Sequence, residues 1–174
     1  IAIRPGRSVY SNTGTMYFFL GEYDKAADRY ALAANFAPND YIVWSNLGDA
    51  YFFGESFGQV AEVTYKRALA LVEQQLGVNP DDAEATSFAA YLNARLGNRE
   101  KALELDARAR EKASENMYVY YNGALVHAQF GQTDEALEAL ERAVALDYQV
   151  DLLPLDPAFE SLREEPRFKQ LITK

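Results

Sequence analysis

Large, small and polar residues recur along this chain at one fixed interval. Tyr10 and Trp44 stand 34 residues apart, as do Gly14 and Gly48, Tyr17 and Tyr51, Ala90 and Ala124, Gly97 and Gly131, Ala102 and Ala136, and Ala109 and Ala143. An interval of this length marks one supersecondary unit stacked on copies of itself, each burying its apolar face against its neighbours. Between the halves of the units run Gly21-Glu22-Tyr23-Asp24, Gly97-Asn98-Arg99-Glu100 and Gly131-Gln132-Thr133-Asp134. Glycine there suits a helix ending in a left-handed residue, and Asp, Asn or Thr nearby suits the next helix start. The pattern predicts helices over 8–20, 23–36, 41–53, 58–76, 83–96, 99–112, 117–130 and 133–147.

Volume alternates within the units as two packed helices require. Gly14, Gly48, Ala90 and Ala124 remove bulk from each first helix, and Ala26, Ala61, Ala102 and Ala136 do so on the second. Tyr10, Trp44, Tyr17, Tyr51, Tyr30 and Tyr65 then fill the space between layers. The clearest copy reads Trp44-Ser45-Asn46-Leu47-Gly48-Asp49-Ala50-Tyr51, then Ala61-Glu62-Val63-Thr64-Tyr65, then Pro80. This resembles the tetratricopeptide repeat. The resemblance implies an all-α fold, a right-handed α-α superhelix (solenoid) of four helix-turn-helix repeats plus a C-terminal capping segment. The expected organisation is a single domain, 1–174, with repeats at 7–40, 41–82, 83–116 and 117–150. Residues 1–6 read as the end of a truncated upstream repeat, and 151–174 as capping helices.

Three departures from the period are informative. Gly48 to Ala90 spans 42 residues. One extra residue falls in 54–58 and seven between Ala68 and Pro80, which adds about two turns, roughly 10 Å, to the second helix of that unit. Leu71, Leu76 and Val78 are the candidate side surface there. The third unit carries Thr86, Asn93 and Asp106 at places held by aromatics elsewhere, so looser packing is expected. In the fourth, His127 replaces Tyr17 and Tyr51 and reads as a packing residue. After it, Asp156-Pro157 and Glu165-Pro166 suit helix starts. Phe159, Leu162, Phe168, Leu171 and Ile172 form a stripe able to close the end of the array. This tail resembles the C-terminal ends of repeat arrays in multidomain bacterial signalling proteins.

Composition narrows function more by exclusion than by assignment. Seventeen Lys and Arg against 26 Asp and Glu give a net charge of −9, which repels nucleic acid; it would steer a basic peptide or protein toward the surface, but first of all it serves to keep the domain in solution. No uncharged apolar run approaches the roughly 18 residues of a membrane helix, so no membrane insertion is expected. The chain has no cysteine, which fits the cytoplasm. Metalloprotease, serine-hydrolase, phosphate-loop and dinucleotide-binding motifs are all missing from the sequence, as is the spacing of a calcium loop. Neither an enzyme nor a cofactor or metal site is expected.

What remains is a binding surface, which the resemblance places on the first helix of each unit. Asn12, Asn46 and Asn122 hold one equivalent place, with Phe88 in the third unit. An asparagine there would clamp the backbone of an extended peptide. Phe18, Phe19, Phe52 and Phe53, with Tyr91 and Tyr121, would line an apolar groove, one member of each Phe pair packing inward. Family members that grip a C-terminal carboxylate use Lys and Arg beside such asparagines. Ser11, Thr15, Glu84 and Phe88 stand at those places, which disfavours that mode. The function expected is a protein-interaction scaffold binding a peptide or helical segment, as the C-terminal part of a larger signalling or regulatory protein. The alternatives are a homodimer formed through the repeat ends or helix 58–76, and an apolar small-molecule or lipid binder.

Overall fold

The computed structural model describes residues 6–54 and 58–173. Its elements are α1 (Arg7–Phe19), α2 (Tyr23–Phe36), α3 (Tyr41–Phe53), α4 (Gly58–Val78), α5 (Ala83–Arg95), α6 (Arg99–Lys112), α7 (Met117–Gln129) and α8 (Thr133–Ala145). Two 3-10 helices, Val150–Leu155 and Pro157–Leu162, and α9 (Pro166–Ile172) follow. The eight repeat helices begin and end within two residues of the expected bounds. Of the upstream remnant expected at 1–6 and the extra residue expected in 54–58, residues 1–5 and 55–57 lie outside the described residues, while Gly6, Gly54 and Gly58 bound α1, α3 and α4.

Of the four first helices, α3, α5 and α7 open on side chains that take up the amides a helix start leaves unpaired, whereas α1 opens on Gly6 without such a cap. Asp40 accepts from Ile42 and Val43 at 3.0 and 3.3 Å, Asp82 from Ala85 at 2.9 Å, and Asn116 from Tyr118 and Val119 at 2.9 and 3.4 Å. α1, α5 and α7 close on a paired backbone bond. The amides of Gly21 and Glu22 donate to Phe18 and Tyr17, those of Gly97 and Asn98 to Ala94 and Asn93, and those of Gly131 and Gln132 to Ala128 and His127. That closure needs a left-handed residue, and the glycines have φ of 74, 80 and 67°. The side-chain caps expected for the second helices do not form. Glu22, Asn98 and Gln132 hold the cap positions of α2, α6 and α8 without bonding to the helix start. Their backbone amides are committed to the preceding helix, and the Asn98 side chain follows, donating to Asn93 at 3.1 Å.

Backbone packing divides the chain into two units, Ile1–Leu71 and Val72–Lys174. In the first, the missing bulk on α1 and α3 is filled by tyrosine. A β-carbon at Gly14 would lie 2.8 Å from the Tyr30 ring, and one at Gly48 2.6 Å from that of Tyr65. Both rings are buried, and their hydroxyls donate to Thr15 at 3.0 Å and Asp49 at 2.6 Å. Ala26, Ala27 and Tyr30 of α2 cover Leu47 and Ala50 of α3, while Ala33 and Ala34 cover Val43. α4 has 21 residues against 13 or 14 in the other repeat helices, as the longer interval required. Leu71, however, is buried, Leu76 half-buried, and only Val78 is well exposed. Leu71 therefore does not belong to a side surface: it falls on the helix's inward stripe.

In the second unit, the expected looseness of the third repeat is not found. Nine of the thirteen residues of α5 are buried. The polar residues that replace aromatics find partners instead of leaving space. Thr86 donates to the Asp82 carbonyl at 2.7 Å and Asn93 to that of Ala89 at 2.8 Å. Asp106 accepts from Arg110 Nε at 3.1 Å and lies 3.1 Å from His127 Nε2, whose other nitrogen is 3.2 Å from the Gln132 side chain. α7 makes room for this group through Gly123, where a β-carbon would lie against the Asp106 carboxylate and 2.6 Å from the Arg110 guanidinium. His127 is thus a packing residue held by two polar partners.

The tail packs on α7 and α8. Leu153, Phe159, Leu162, Phe168 and Leu171 are buried, while Ile172 is half-buried. Asp156 caps the second 3-10 helix through the Ala158 amide at 2.9 Å, and Pro157 and Pro166 begin their helices as expected. Only α9 is α-helical in this tail. Pro154 inside the first 3-10 helix lacks the amide an α-helix would use, and each 3-10 stretch has six residues. Arg167 of α9 donates to Glu141 of α8 through two nitrogens, both at 3.0 Å.

Candidate functional site

The residues expected to line a groove fall in both units, and each set has its own environment. In the first, Phe18 packs on the core formed by Ala26, Tyr30 and Leu47. Its ring meets those of Phe19, Tyr23 and Phe53 edge-on at centroid distances of 5.7, 5.5 and 5.8 Å. Phe53 also meets Tyr23 at 5.9 Å and Phe52 at 5.0 Å. Helix geometry explains the gathering: both Phe pairs end a first helix, so they come together where α1 turns into α2. Within the second pair Phe53 lies among the rings, whereas Phe52 is 45% exposed. Edge-to-face pairs of this kind add about 0.5–1.5 kcal/mol each beyond simple burial.

Beside these rings opens a cleft of about 480 Å³, lined by Gly21, Glu22, Tyr23, Asp24, Lys25, Phe53 and Gly54. The cation among these residues is committed. Lys25 is bonded to Glu22, whose hydrogen bond and charge hold the ammonium above the usual lysine pKa, and it lies 5.5 Å from the Tyr17 ring centre. Asn12 on α1 is exposed and Asn46 on α3 half-buried. The first unit therefore presents aromatic edges, two asparagines and carboxylates.

In the second unit the expected groove residues are mostly turned to internal work. Asn122 is 4% exposed, and its amide donates to Ser87 on α5 at 2.9 Å. It clamps two first helices together and has no free amide face for a peptide. Ser87 and Asn122 are one repeat plus one residue apart, the same spacing as Ser11 and Asn46, which is the signal that could have revealed the pairing. Tyr91 is buried, with Arg95 donating to its hydroxyl at 2.8 Å. Tyr121 is half-buried and belongs to the tail: it stacks on Tyr148 at 4.4 Å, meets Phe159 at 5.9 Å and donates to Asp156. Burial and the neighbouring carboxylate push its phenol pKa well up. Phe88 is half-buried. Asn122, Tyr91 and Tyr121 accordingly leave the groove set, because helix exposure is fixed by neighbouring helices and not by repeat position alone.

Among the described residues no three His, Asp or Glu side chains gather as a metal site, and no helix is long and apolar enough to cross a membrane.

Helix pairs closed by glycine turns, first helices thinned by Gly or Ala and second helices lined with Ala define the tetratricopeptide-repeat fold, an all-α solenoid. Tetratricopeptide-repeat models match residues 64–117 and 118–149. Among solved structures, the chain is similar to TTC0263, a thermophilic repeat protein of Thermus thermophilus, with a TM-score of 0.53 and 18% identity, covering 95% of this chain and 88% of that one. It is also similar to MamA from Desulfovibrio magneticus RS-1, with a TM-score of 0.49 and 18% identity over 99% of this chain and 94% of that one. A curated relative, the human protein O-mannosyl-transferase TMTC3, is 26% identical over 153 residues, which cover 79% of this chain. The chain spans 16% of that relative's length. Proteins of this repeat class serve in general as protein-interaction scaffolds.

Proposed function

We propose that the chain is a protein-interaction scaffold that takes a peptide or helical segment of a partner against the first helices of its first two repeats. The observation that carries this reading is Phe52, a large apolar ring 45% exposed at the edge of a packed aromatic cluster, with Asn12 and Asn46 on the same pair of helices. A rigid ring cluster with one accessible member is the kind of anchor on which interface energy concentrates. The two asparagines supply donors and acceptors for a main chain. The ligand favoured by this chemistry has large apolar side chains flanked by Lys or Arg, since Glu22 and Asp24 border the cleft and the chain carries −9 overall. In this reading the chain serves a larger signalling or regulatory protein, and the much greater length of the curated relative supports its being a module of something longer.

The test begins with peptides selected from a displayed library on the intact chain. Phe52→Ala and Asn46→Ala should each weaken the best peptide by about tenfold or more, in line with the roughly 1–2 kcal/mol of an interface anchor. Asn122→Ala should lower stability instead. Unchanged affinity in the first two variants, with their circular dichroism intact, sinks the assignment.

A further inference from the structure

One inter-helix clamp in this chain is closed and its counterpart is open. Asn122 of α7 donates to Ser87 of α5 at 2.9 Å, and both side chains are buried. Asn46 of α3 follows Ser11 of α1 at the same interval, yet both are half-buried. Among the described residues neither the Ser11 hydroxyl nor the Asn46 amide has a hydrogen-bond partner. The helices differ in the same sense: α5 and α7 pack extensively on each other, whereas α1 and α3 meet over few residues.

Side-chain volume explains the difference. Tyr10 of α1 packs against the core that holds Ala33, Ala34 and Val43, and Tyr17 against the one that holds Leu47 and Ala50, so both stand against α3. Tyr10 is itself held by Phe36, stacked on it at 5.7 Å. At the corresponding places α5 carries Thr86 and Asn93. These turn back to their own helix, Thr86 to the Asp82 carbonyl at 2.7 Å and Asn93 to that of Ala89 at 2.8 Å, and neither holds α7 away. A tyrosine ring reaches far beyond a threonine methyl, so the same clamp closes in one unit and stays open in the other. The consequence falls on binding. A donor already paired inside the protein has to break that bond before it can serve a ligand, which cancels most of the gain.

We infer that Tyr10 and Tyr17 are spacers that hold α1 off α3, so that Asn46 keeps its amide for the main chain of a ligand instead of giving it to Ser11 as Asn122 gives its own to Ser87. They are positioning residues and do not touch the ligand. The inference rests on the reading that Asn46 grips a peptide.

The probe is the best peptide selected on the intact chain from the displayed library. Tyr10→Thr, which gives α1 the residue of α5, should weaken that peptide by about tenfold or more. In the same variant the Asn46 side-chain amide should become protected from solvent exchange. Adding Ser11→Ala removes the competing acceptor and should return the affinity to within about threefold of the parent, whereas a merely structural loss would persist. Amide exchange followed by nuclear magnetic resonance reads the clamp without ligand: in the parent the Asn122 side-chain amide should exchange slowly and that of Asn46 fast, which tests the idea even if Tyr10→Thr does not fold. Equal protection of the two amides in the parent, undiminished affinity in a folded Tyr10→Thr, or a loss that Ser11→Ala leaves in place overturns the spacer role. Unchanged affinity in Asn46→Ala overturns instead the reading on which it rests.

Discussion

Gly48→Ala would place a methyl 2.6 Å from Cδ1 and Cε1 of Tyr65 and 3.2 Å from Cζ. Carbon atoms in favourable contact lie about 3.5–4.0 Å apart, so the overlap is roughly 1 Å. The ring has little room to retreat: Tyr65 is 1% exposed, and its hydroxyl is bound to Asp49 at 2.6 Å. Overpacking of a tight core costs about 1–3 kcal/mol, and replacing a mid-helix glycine by alanine returns about 1 kcal/mol of helix propensity. With overlap on a pinned ring the cost belongs at the upper end, and the net expectation is a loss of about 2 kcal/mol. Gly77→Ala is the internal control, because nothing lies within 4 Å of its β-carbon position and it too is helical. It should gain up to about 1 kcal/mol. Urea unfolding followed by circular dichroism should shift the two midpoints in opposite directions at constant m. In a Tyr65→Leu background the Gly48→Ala loss should shrink to near zero, since the clash depends on the ring. Should Gly48→Ala prove as stable as the parent, or its loss persist in that ring-free background, ring-into-glycine packing does not hold this pair of helices together.

Asp147 ends α8 with φ of 73°, the region glycine occupies at the other turns, and the amides of Asp147 and Tyr148 donate to Val144 and Ala143 in the same closing pattern. Asp147→Gly should therefore raise stability by about 0.5–1 kcal/mol, measured by urea midpoint. Asp106→Ala would leave Arg110 and His127 facing an emptied buried slot and should cost about 2–3 kcal/mol, discounted because Arg110 is partly exposed; no change in the unfolding midpoint would contradict the role given to this group. The phenols of Tyr30 and Tyr148 are raised chiefly by burial, as is that of Tyr121 with the Asp156 charge adding to it. The native state thus keeps protons that the unfolded chain releases near pH 10. Stability conferred by these phenols is complete below about that value and falls as pH rises above it, by up to about 1.4 kcal/mol per pH unit for each. Phenolate absorbance of these three should appear together with unfolding, and a titration that precedes unfolding would argue against their burial.

Helix positions were legible because a volume pattern repeats. A ring in one unit and a glycine one helix away constrain each other whatever lies outside, so the spacing of Gly14, Tyr30, Gly48 and Tyr65 was enough to place four helices. Exposure was less legible. Asn12, Asn46 and Asn122 share a repeat position but range from exposed to 4% exposed, because exposure depends on what packs around each helix, and α7 is covered by α5 and by the tail. The third repeat looked loose when each polar substitution was weighed alone. Asp106 was compensated by His127, 21 residues further on, and by the missing side chain of Gly123, a joint property of two helices. The tail's stripe was readable, but its 3-10 geometry depended on Pro154 and on lengths too short for α-helical closure.

The slot formed by Asp106, Gly123 and His127 bears on how such a chain could be rearranged. At the place of Gly123 the other repeats carry Thr13, Leu47 and Ala89, and at that of Asp106 they carry Tyr30, Tyr65 and Leu140. Duplicating the third repeat would press Ala89 onto a buried carboxylate, and setting the second behind it would press Leu47 there. Each helix pair looks interchangeable by its period, yet this joint accepts one successor. A buried carboxylate at the joint between two repeats thus acts as an address that fixes the order of modules, and insertions or shuffles are best tolerated away from it.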